Sequence, residues 1–156
     1  MKISEQHIEL AKKILSEMLD VMGFEEYTVY EDQLESRQIL AIAAENQAVL
    51  IGRKGDSLAA FQTLFNAILK QHDPSAPFIT IDIAGYKKER IEKVMRIAED
   101  TAQKVRNYGR EQEMKPMNAF ERRIVHMVLA QIPELETESV GKDPNRKVII
   151  RPKQTT

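Results

Sequence analysis

The chain has 156 residues, enough for one large domain or two small ones, and its 42% hydrophobic and 30% charged residues are ordinary values for a soluble globular protein. It contains no cysteine, which excludes disulfides and thiolate metal sites, and no apolar run approaches the roughly 18 residues that span a bilayer. The three histidines, His7, His72 and His126, show no metal-ligand spacing, and residues 1–10 lack the apolar core of a secretory signal. We therefore expect a cytoplasmic protein with no membrane insertion, no cofactor and no metal.

The predicted elements of the N-terminal half follow the order helix, strand, strand, short helix, loop, helix, strand. Apolar residues at helical spacing predict the first helix over residues 3–22. Two β-like runs at 27–30 and 39–43 are separated by a polar stretch that we interpret as a turn. A longer helix is predicted to begin near Asp56, and residues 78–83 alternate as a strand.

The C-terminal half is predicted to hold one long helix, one shorter helix and three short strands. The predicted ranges are 86–108 for the long helix and 112–117, 135–139 and 147–151 for the strands. For the shorter helix, Asn118 is predicted to act as N-cap with Glu121 as its capping-box partner, and Pro133 is predicted to end it.

The net charge of −1 hides an asymmetry between the two halves of the chain. Residues 1–86 hold 7 Lys/Arg and 13 Asp/Glu, whereas residues 87–156 hold 16 Lys/Arg and 11 Asp/Glu. A basic half is typical of a segment that meets a polyanion. Because charge also fluctuates along chains without any function, both interpretations stay open.

The first chemical signal is a loop with two glycines separated by two residues, placed between two predicted helices. It reads Ile51, Gly52, Arg53, Lys54, Gly55. The glycines let the backbone turn tightly and approach a ligand without a Cβ in the way. The next helix offers unpaired N–H groups to an anion, and Arg53 and Lys54 add positive charge. The loop is therefore predicted to clamp a sugar–phosphate backbone, although a plain turn would have the same glycine spacing.

The context of this loop resembles a type II KH domain, whose element order is αββααβ. The segment 49–69, VLIGRKGDSLAAFQTLFNAIL, matches the KH signature. The resemblance implies a three-stranded sheet with helices on one face and an apolar groove for about four bases, walled by residues 49–51 and 39–43. Most of these residues are equally consistent with plain core, so we assign only Ile51 and its neighbours to the groove. A KH fold used for protein contacts is the alternative.

The second signal is Arg122 and His126, four residues apart and therefore on one face of a helix. A guanidinium and an imidazole on one face can grip a phosphate together, and Arg123 would lie at the rim. A purely structural pair has the same spacing, so the pair alone leaves both interpretations open.

The sequence around this pair, residues 114–152, resembles the C-terminal domain of the bacterial Jag/KhpB family (SpoIIIJ-associated proteins). The family pattern is kept at Pro116, Met117, Glu121, Arg122, Arg123 and His126, and then at Ser139, Gly141, Pro144, Asn145, Arg146, Val148, Ile150 and Pro152. The resemblance extends from about Met18 onward. It implies an α+β protein with a KH domain and a small Arg-x-x-x-His (R-three-H) domain, in a short form without the N-terminal domain that many members carry.

The resemblance implies a protein that grips single-stranded RNA, with single-stranded DNA as a further ligand to consider. The implied RNA-binding residues are Ile51, Gly52, Arg53, Lys54, Gly55, Arg122, Arg123, His126, Asn145 and Arg146. It also implies a global RNA chaperone or post-transcriptional regulator linked to cell elongation and division, and a small single-KH protein as partner. A homodimer formed through the long helix stays open.

We expect a KH domain at residues 1–85, a connecting helix at 86–110 and the Arg-x-x-x-His domain at 111–156. The sequence has no nucleophile motif, no P-loop and no cluster of histidine and carboxylate residues, so we do not expect an enzyme. The main alternative is a protein-interaction adaptor whose KH half binds a protein, while only the C-terminal domain touches nucleic acid.

Overall fold

The computed structural model describes residues 2–154 and divides into two compact units, Met1–Lys88 and Glu89–Thr156. Each unit combines helices with a three-stranded sheet, so the predicted α+β class is confirmed. No helix within residues 2–154 is long and apolar enough to cross a membrane.

The first unit has the element order that the sequence predicts. Its elements are α1 (Glu5–Val21), β1 (Tyr27–Leu34), β2 (Arg37–Ala44), α2 (Gln47–Ile51), a 3₁₀ turn (Arg53–Gly55), α3 (Asp56–His72) and β3 (Ile81–Ile83). The strands are ordered β1-β2-β3, with β1 antiparallel and β3 parallel to the central strand β2.

Helices α1 and α3 bury one apolar stripe each, and these stripes form the core of the unit with β2 and β3. Members of this core are Ala11, Leu15, Leu19, Leu40, Ile42, Leu58, Phe65, Leu69, Ile79 and Ile81. Helix α1 begins where Ser4 caps it, since the Ser4 hydroxyl accepts a hydrogen bond from the backbone N–H of His7 at 3.2 Å. The spacing of these residues by three and four along each helix is what made both helices predictable.

All three strands of the first unit differ in length from the prediction, and β2 has eight residues, Arg37–Ala44, instead of the five at 39–43. Strand β1 continues through the polar stretch to Leu34, because Glu35 and Ser36 both adopt positive φ and close a two-residue hairpin to β2. Strand β3 is only three residues long instead of six. The reason is Asn66, whose buried side chain donates to the carbonyl of Ile79 and accepts from its N–H, both at 2.9 Å. Ile79 therefore pairs with a side chain rather than with a strand.

The second unit contains most of a long helix, a shorter helix and the second sheet. Its elements are α4 (Tyr86–Tyr108, of which the residues from Glu89 onward belong to this unit), β4 (Gln112–Glu113), α5 (Ala119–Leu129), β5 (Leu135–Val140) and β6 (Lys147–Pro152). The strands are all antiparallel in the order β4-β6-β5.

Two elements of the second unit are shorter than predicted. Strand β4 stops at Glu113 rather than 117, and Pro116, which has no N–H to donate, lies within the predicted extension. Helix α5 ends at Leu129, four residues before Pro133, and the chain continues in a tight turn in which the N–H of Ile132 donates to the carbonyl of Leu129 at 3.0 Å. The bounds of α4 are those predicted.

Candidate nucleic-acid interface

The loop at residues 52–55 has a backbone that only glycine can adopt at its first position. Gly52 lies at φ +68° and ψ −169°, a region essentially restricted to glycine. A Cβ added there would lie 2.1 Å from Ser57 Oγ, 2.6 Å from Ser57 Cβ and 2.9 Å from Ser57 N. The loop is therefore folded directly against the first turn of α3, with no space for a side chain.

The other side of the loop is backed by an aromatic ring. Gly55 lies at φ +81°, and a Cβ there would lie 3.1 Å from Cε1 of Tyr86. Between the glycines, Lys54 is itself left-handed at φ 52° and ψ 27°, a conformation that is uncommon for residues with a side chain. The surroundings thus hold the backbone of the loop in one shape.

The tip of the loop presents two cations that have no ion pair within residues 2–154. Arg53 and Lys54 are both exposed, and neither forms an ion pair with any residue that the structure describes. Their acidic neighbour Asp56 is exposed as well and is likewise unpaired in this part of the chain. The N-cap of α3 is Gly55, and no side chain among residues 2–154 caps the first turn of this helix by a hydrogen bond. Two cations and the open N-terminus of a 17-residue helix therefore converge on one exposed loop.

The residues predicted to wall an apolar groove beside the loop have different environments. Leu50, Leu40 and Ile42 are buried members of the core, Ile51 is half-buried against that core, and Val49 is 69% exposed. Ile51 and Val49 are thus the apolar side chains of this segment that a ligand can reach.

In the second unit, Arg122 is a nearly buried residue that joins two segments of the chain. Only 8% of it is exposed, and its Nη1 donates to the carbonyl of Met117 at 2.6 Å and to Asp143 Oδ1 at 3.0 Å. These bonds tie the segment before α5 and the turn between β5 and β6 to helix α5. Nη1 of Arg122 is thus engaged within the domain, whereas its Nε and Nη2 make no hydrogen bond within residues 2–154.

His126 lies one turn further along α5, on the same face, and is half-buried. Its Nδ1 is 2.6 Å from the hydroxyl of Thr137 on β5, while Nε2 makes no hydrogen bond within residues 2–154. Burial lowers the pKa of His126, and the nearby charge of Arg122 lowers it further. The ring is therefore neutral at pH 7, and Nε2 is the nitrogen left for a ligand.

The remaining predicted residues of this unit lie nearer the surface. Arg123 is exposed on α5 and has no ion pair among the described residues. Asn145 is exposed in the turn between β5 and β6, and Arg146 is half-buried with its Nε donating to Ser139 Oγ at 3.4 Å. Lys147 and Arg151 on β6 are instead paired, with Glu113 and Glu138 respectively. Of these four cations, Arg123 and Arg146 are thus the ones free to meet an anion.

The N-terminus of α5 is held by the buried carboxylate of Glu121. The predicted capping box is confirmed: the N–H of Glu121 donates to Asn118 Oδ1 at 2.9 Å, and the N–H of Asn118 donates to Glu121 Oε2 at 3.2 Å. The other oxygen of Glu121 pairs with Arg90 of α4. No sequence pattern indicated that ion pair, nor Thr137 and Asp143 as partners of His126 and Arg122, because all three contacts join residues far apart in the chain. Residues 2–154 contain no group of three or more histidine and acidic residues arranged to hold a metal.

Comparison with known proteins gives the class of the second unit. Residues 92–152 match the R-three-H domain family, so the chain carries an R-three-H domain, which includes most of α4. The chain is 34% identical over 104 residues to RNA-binding protein KhpB of Lactiplantibacillus plantarum, a match covering 67% of this chain and 32% of that protein. It is 28% identical over 141 residues to KhpB of Clostridium symbiosum, covering 90% of this chain and 64% of that protein.

A third relative, KhpB of Bacillus subtilis, is 29% identical over 150 residues, covering 94% of this chain and 71% of that protein. The chain belongs to the KhpB (Jag) family, as the sequence motifs predicted. It spans about a third of the length of the first relative and just under two thirds of the second.

Proposed function

We propose that this chain binds single-stranded RNA through two surfaces, the loop at 52–55 and the Arg/His surface of the R-three-H domain, and that it is not an enzyme. The observation that carries the proposal is the loop, where two exposed cations, without ion pairs to any described residue, lie at the N-terminus of α3. The names of its relatives support RNA as the ligand, since each is called an RNA-binding protein.

In this proposal residues 1–85 are a type II KH domain, which the element order and the GxxG loop support. Arg53 and Lys54 neutralise phosphates while N–H groups at the start of α3 donate to phosphate oxygens. Gly52 and Gly55 hold the loop in the shape that presents these groups, since a Cβ at either position would lie against Ser57 or Tyr86. Ile51 contacts the bases that follow. Helix 86–110 leads from this domain into the R-three-H domain, whose remaining part is residues 111–156.

In the R-three-H domain, Arg123 and Arg146 are proposed to contact phosphates directly, with Asn145 beside them. His126 donates from Nε2 in the tautomer that accepts the Thr137 hydroxyl proton at Nδ1. Arg122 acts chiefly as a positioning residue, because its bonds to Met117 and Asp143 hold the segments on either side of the site.

The cellular role follows from the family resemblance. We propose a cytoplasmic RNA chaperone or post-transcriptional regulator that affects cell elongation and division and works with a small single-KH protein. Single-stranded DNA is a second ligand to be tested beside RNA, since phosphate clamping does not read the 2′-hydroxyl.

The test is fluorescence anisotropy with a random single-stranded RNA pool, titrated across salt concentrations. Each phosphate contact contributes a slope of roughly −0.7 to log K against log salt concentration, so about four contacts give a slope near −3. Arg53→Asp/Lys54→Asp should weaken binding and flatten the slope. The control is Lys13→Asp/Lys70→Asp, which changes the charge of the same unit equally at two other exposed positions.

Substitutions of Gly52 are not used in this test, because the close approach to Ser57 makes them perturb the fold. Binding that weakens equally in both charge variants would show general electrostatics rather than a clamp. No binding to the unaltered protein at low salt would refute the proposed function.

A second candidate function, a protein-interaction adaptor, is favoured by one feature of the first unit. A cleft of about 400 Å³ is lined by Met22 and Val49 together with Glu25, Glu26 and Glu45. Apolar side chains surrounded by three carboxylates suit a basic, partly apolar peptide better than RNA. If the RNA titration fails while a protein partner binds in a way that Val49→Asp abolishes, the adaptor becomes the better account.

A further inference from the structure

We propose that Phe120 of α5 is a stacking site for an unpaired nucleobase, flanked by Arg123 and Met127. This inference rests on the proposed function, which it extends from phosphate contacts to base contacts. Phe120 is 49% exposed and Met127 is 57% exposed, although both lie on a helix whose opposite face is buried. At about 100° per residue, Phe120, Arg123 and Met127 fall within an arc of roughly 60°.

This arc is continuous with the face that carries the Arg/His pair. Moving around the helix, Arg122 comes first, then His126, Arg123, Met127 and Phe120. An RNA strand whose phosphates contact His126 and Arg123 would therefore have its bases within reach of the Phe120 ring. The same face thus offers donors and positive charge at one edge and an apolar surface at the other.

The charge around the ring favours a nucleic acid as the occupant. Glu121 is the single acidic residue of α5, and it is buried and paired with Arg90. Arg123 is exposed and unpaired within residues 2–154, so the outer face of the helix is positive. Aromatic rings beside arginines are the recurrent stacking platform for unpaired bases.

The size of the apolar surface also argues against a protein partner. Stable protein interfaces bury roughly 800 Å² on each side, far more than one exposed ring and one methionine provide. One nucleobase has an aromatic face of the right size for the ring. Phe120 takes no part in the capping box of α5, which consists of Asn118 and Glu121.

The chain has no tryptophan, so Phe120→Trp gives a single fluorescent reporter at the proposed site. A stacked base should quench its emission when single-stranded RNA binds, and an abasic phosphodiester strand of equal length should not. The matched control is Tyr108→Trp, 70% exposed at the end of α4. Tyr108 is two residues from Arg106, which pairs with Glu134 in the segment after the C-terminal end of α5. Phe120 lies at the opposite end of α5, so the emission of a tryptophan at position 108 should change little when RNA binds.

The affinity test uses Phe120→Ala and Phe120→Tyr in the anisotropy titration. Losing one stacked base should weaken binding by roughly 5- to 150-fold, while the tyrosine variant should bind as the unaltered protein does. Phe120→Leu keeps apolar bulk without the ring and should resemble alanine, which separates stacking from folding when the circular dichroism of all variants is native.

The outcomes separate this inference from the proposed function. RNA binding with a steep salt slope, but with unchanged affinity in Phe120→Ala and no quenching in Phe120→Trp, would overturn the stacking site alone. Equal quenching by the abasic strand would overturn it as well. No RNA binding by the unaltered protein would overturn both.

Discussion

Replacing Gly52 by alanine tests whether the loop at 52–55 is held in the shape described. Two costs are expected. A residue with a Cβ at φ +68° and ψ −169° is strained by about 1–3 kcal/mol. The collision with Ser57, where the closest atom is 2.1 Å from the added Cβ, adds about 1–3 kcal/mol of overpacking. Because the loop can shift to relieve part of this, we expect a loss of roughly 2–4 kcal/mol in unfolding free energy.

The matched control is Gly85→Ala in the same unit. Gly85 also has positive φ, at +78°, but an added Cβ meets nothing within 4 Å, so only the backbone strain applies. Relative to Ser57→Gly alone, a Gly52→Ala/Ser57→Gly double variant should show a smaller loss, because the two nearest atoms, Oγ and Cβ of Ser57, are then absent. Urea denaturation followed by far-UV circular dichroism measures all of these variants. A loss for Gly52→Ala no larger than that for Gly85→Ala would refute the close approach to Ser57.

Two further predictions concern the R-three-H domain. Arg122→Ala removes both hydrogen bonds made by Nη1, so we expect the unfolding free energy to fall by about 1–3 kcal/mol in urea denaturation; unchanged stability with weaker RNA binding would instead make Arg122 a direct contact. For His126, burial and the Arg122 charge place the folded-state pKa below the ordinary value of 6.5, so the unfolded chain takes up the proton more readily. The domain should therefore lose stability as the pH falls below about 6.5, and His126→Gln should flatten this dependence in melting curves between about pH 7.5 and 5; an unaltered slope would contradict the assignment to His126.

Features that depend on residues close in sequence were predictable, and the confirmed capping box is the clearest case. Asn118 and Glu121 are three residues apart, so their reciprocal hydrogen bonds follow from helix geometry alone. The bounds of α4 follow in the same way from its apolar period. The element order of the first unit was predictable for the same reason, because helical and β-type apolar periods alternate along residues 3–83.

Features that depend on distant residues were not predictable from one sequence. Strand β3 is short because Asn66, thirteen residues before Ile79, takes both backbone groups of that residue. One of the two hydrogen bonds of Arg122 is to Asp143, which lies 21 residues further along the chain. From its spacing, Arg122 is equally suited to hold a phosphate or to hold the fold, and its contact with Asp143 could not be predicted from that spacing.

Ion pairing changes how the charge of each half should be interpreted. Four of the sixteen Lys/Arg residues of the C-terminal half, Arg90, Arg106, Lys147 and Arg151, each pair with a glutamate. In the acidic N-terminal half, Arg53 and Lys54 at the tip of one loop have no ion pair in the part of the chain that the structure describes. Affinity for a polyanion depends on the protein cations that displace counterions from its phosphates, and cations already paired with carboxylates contribute little. Each proposed surface presents two cations without an ion pair among residues 2–154, so the salt slope lost on removing Arg53 and Lys54 should be comparable to that lost on removing Arg123 and Arg146.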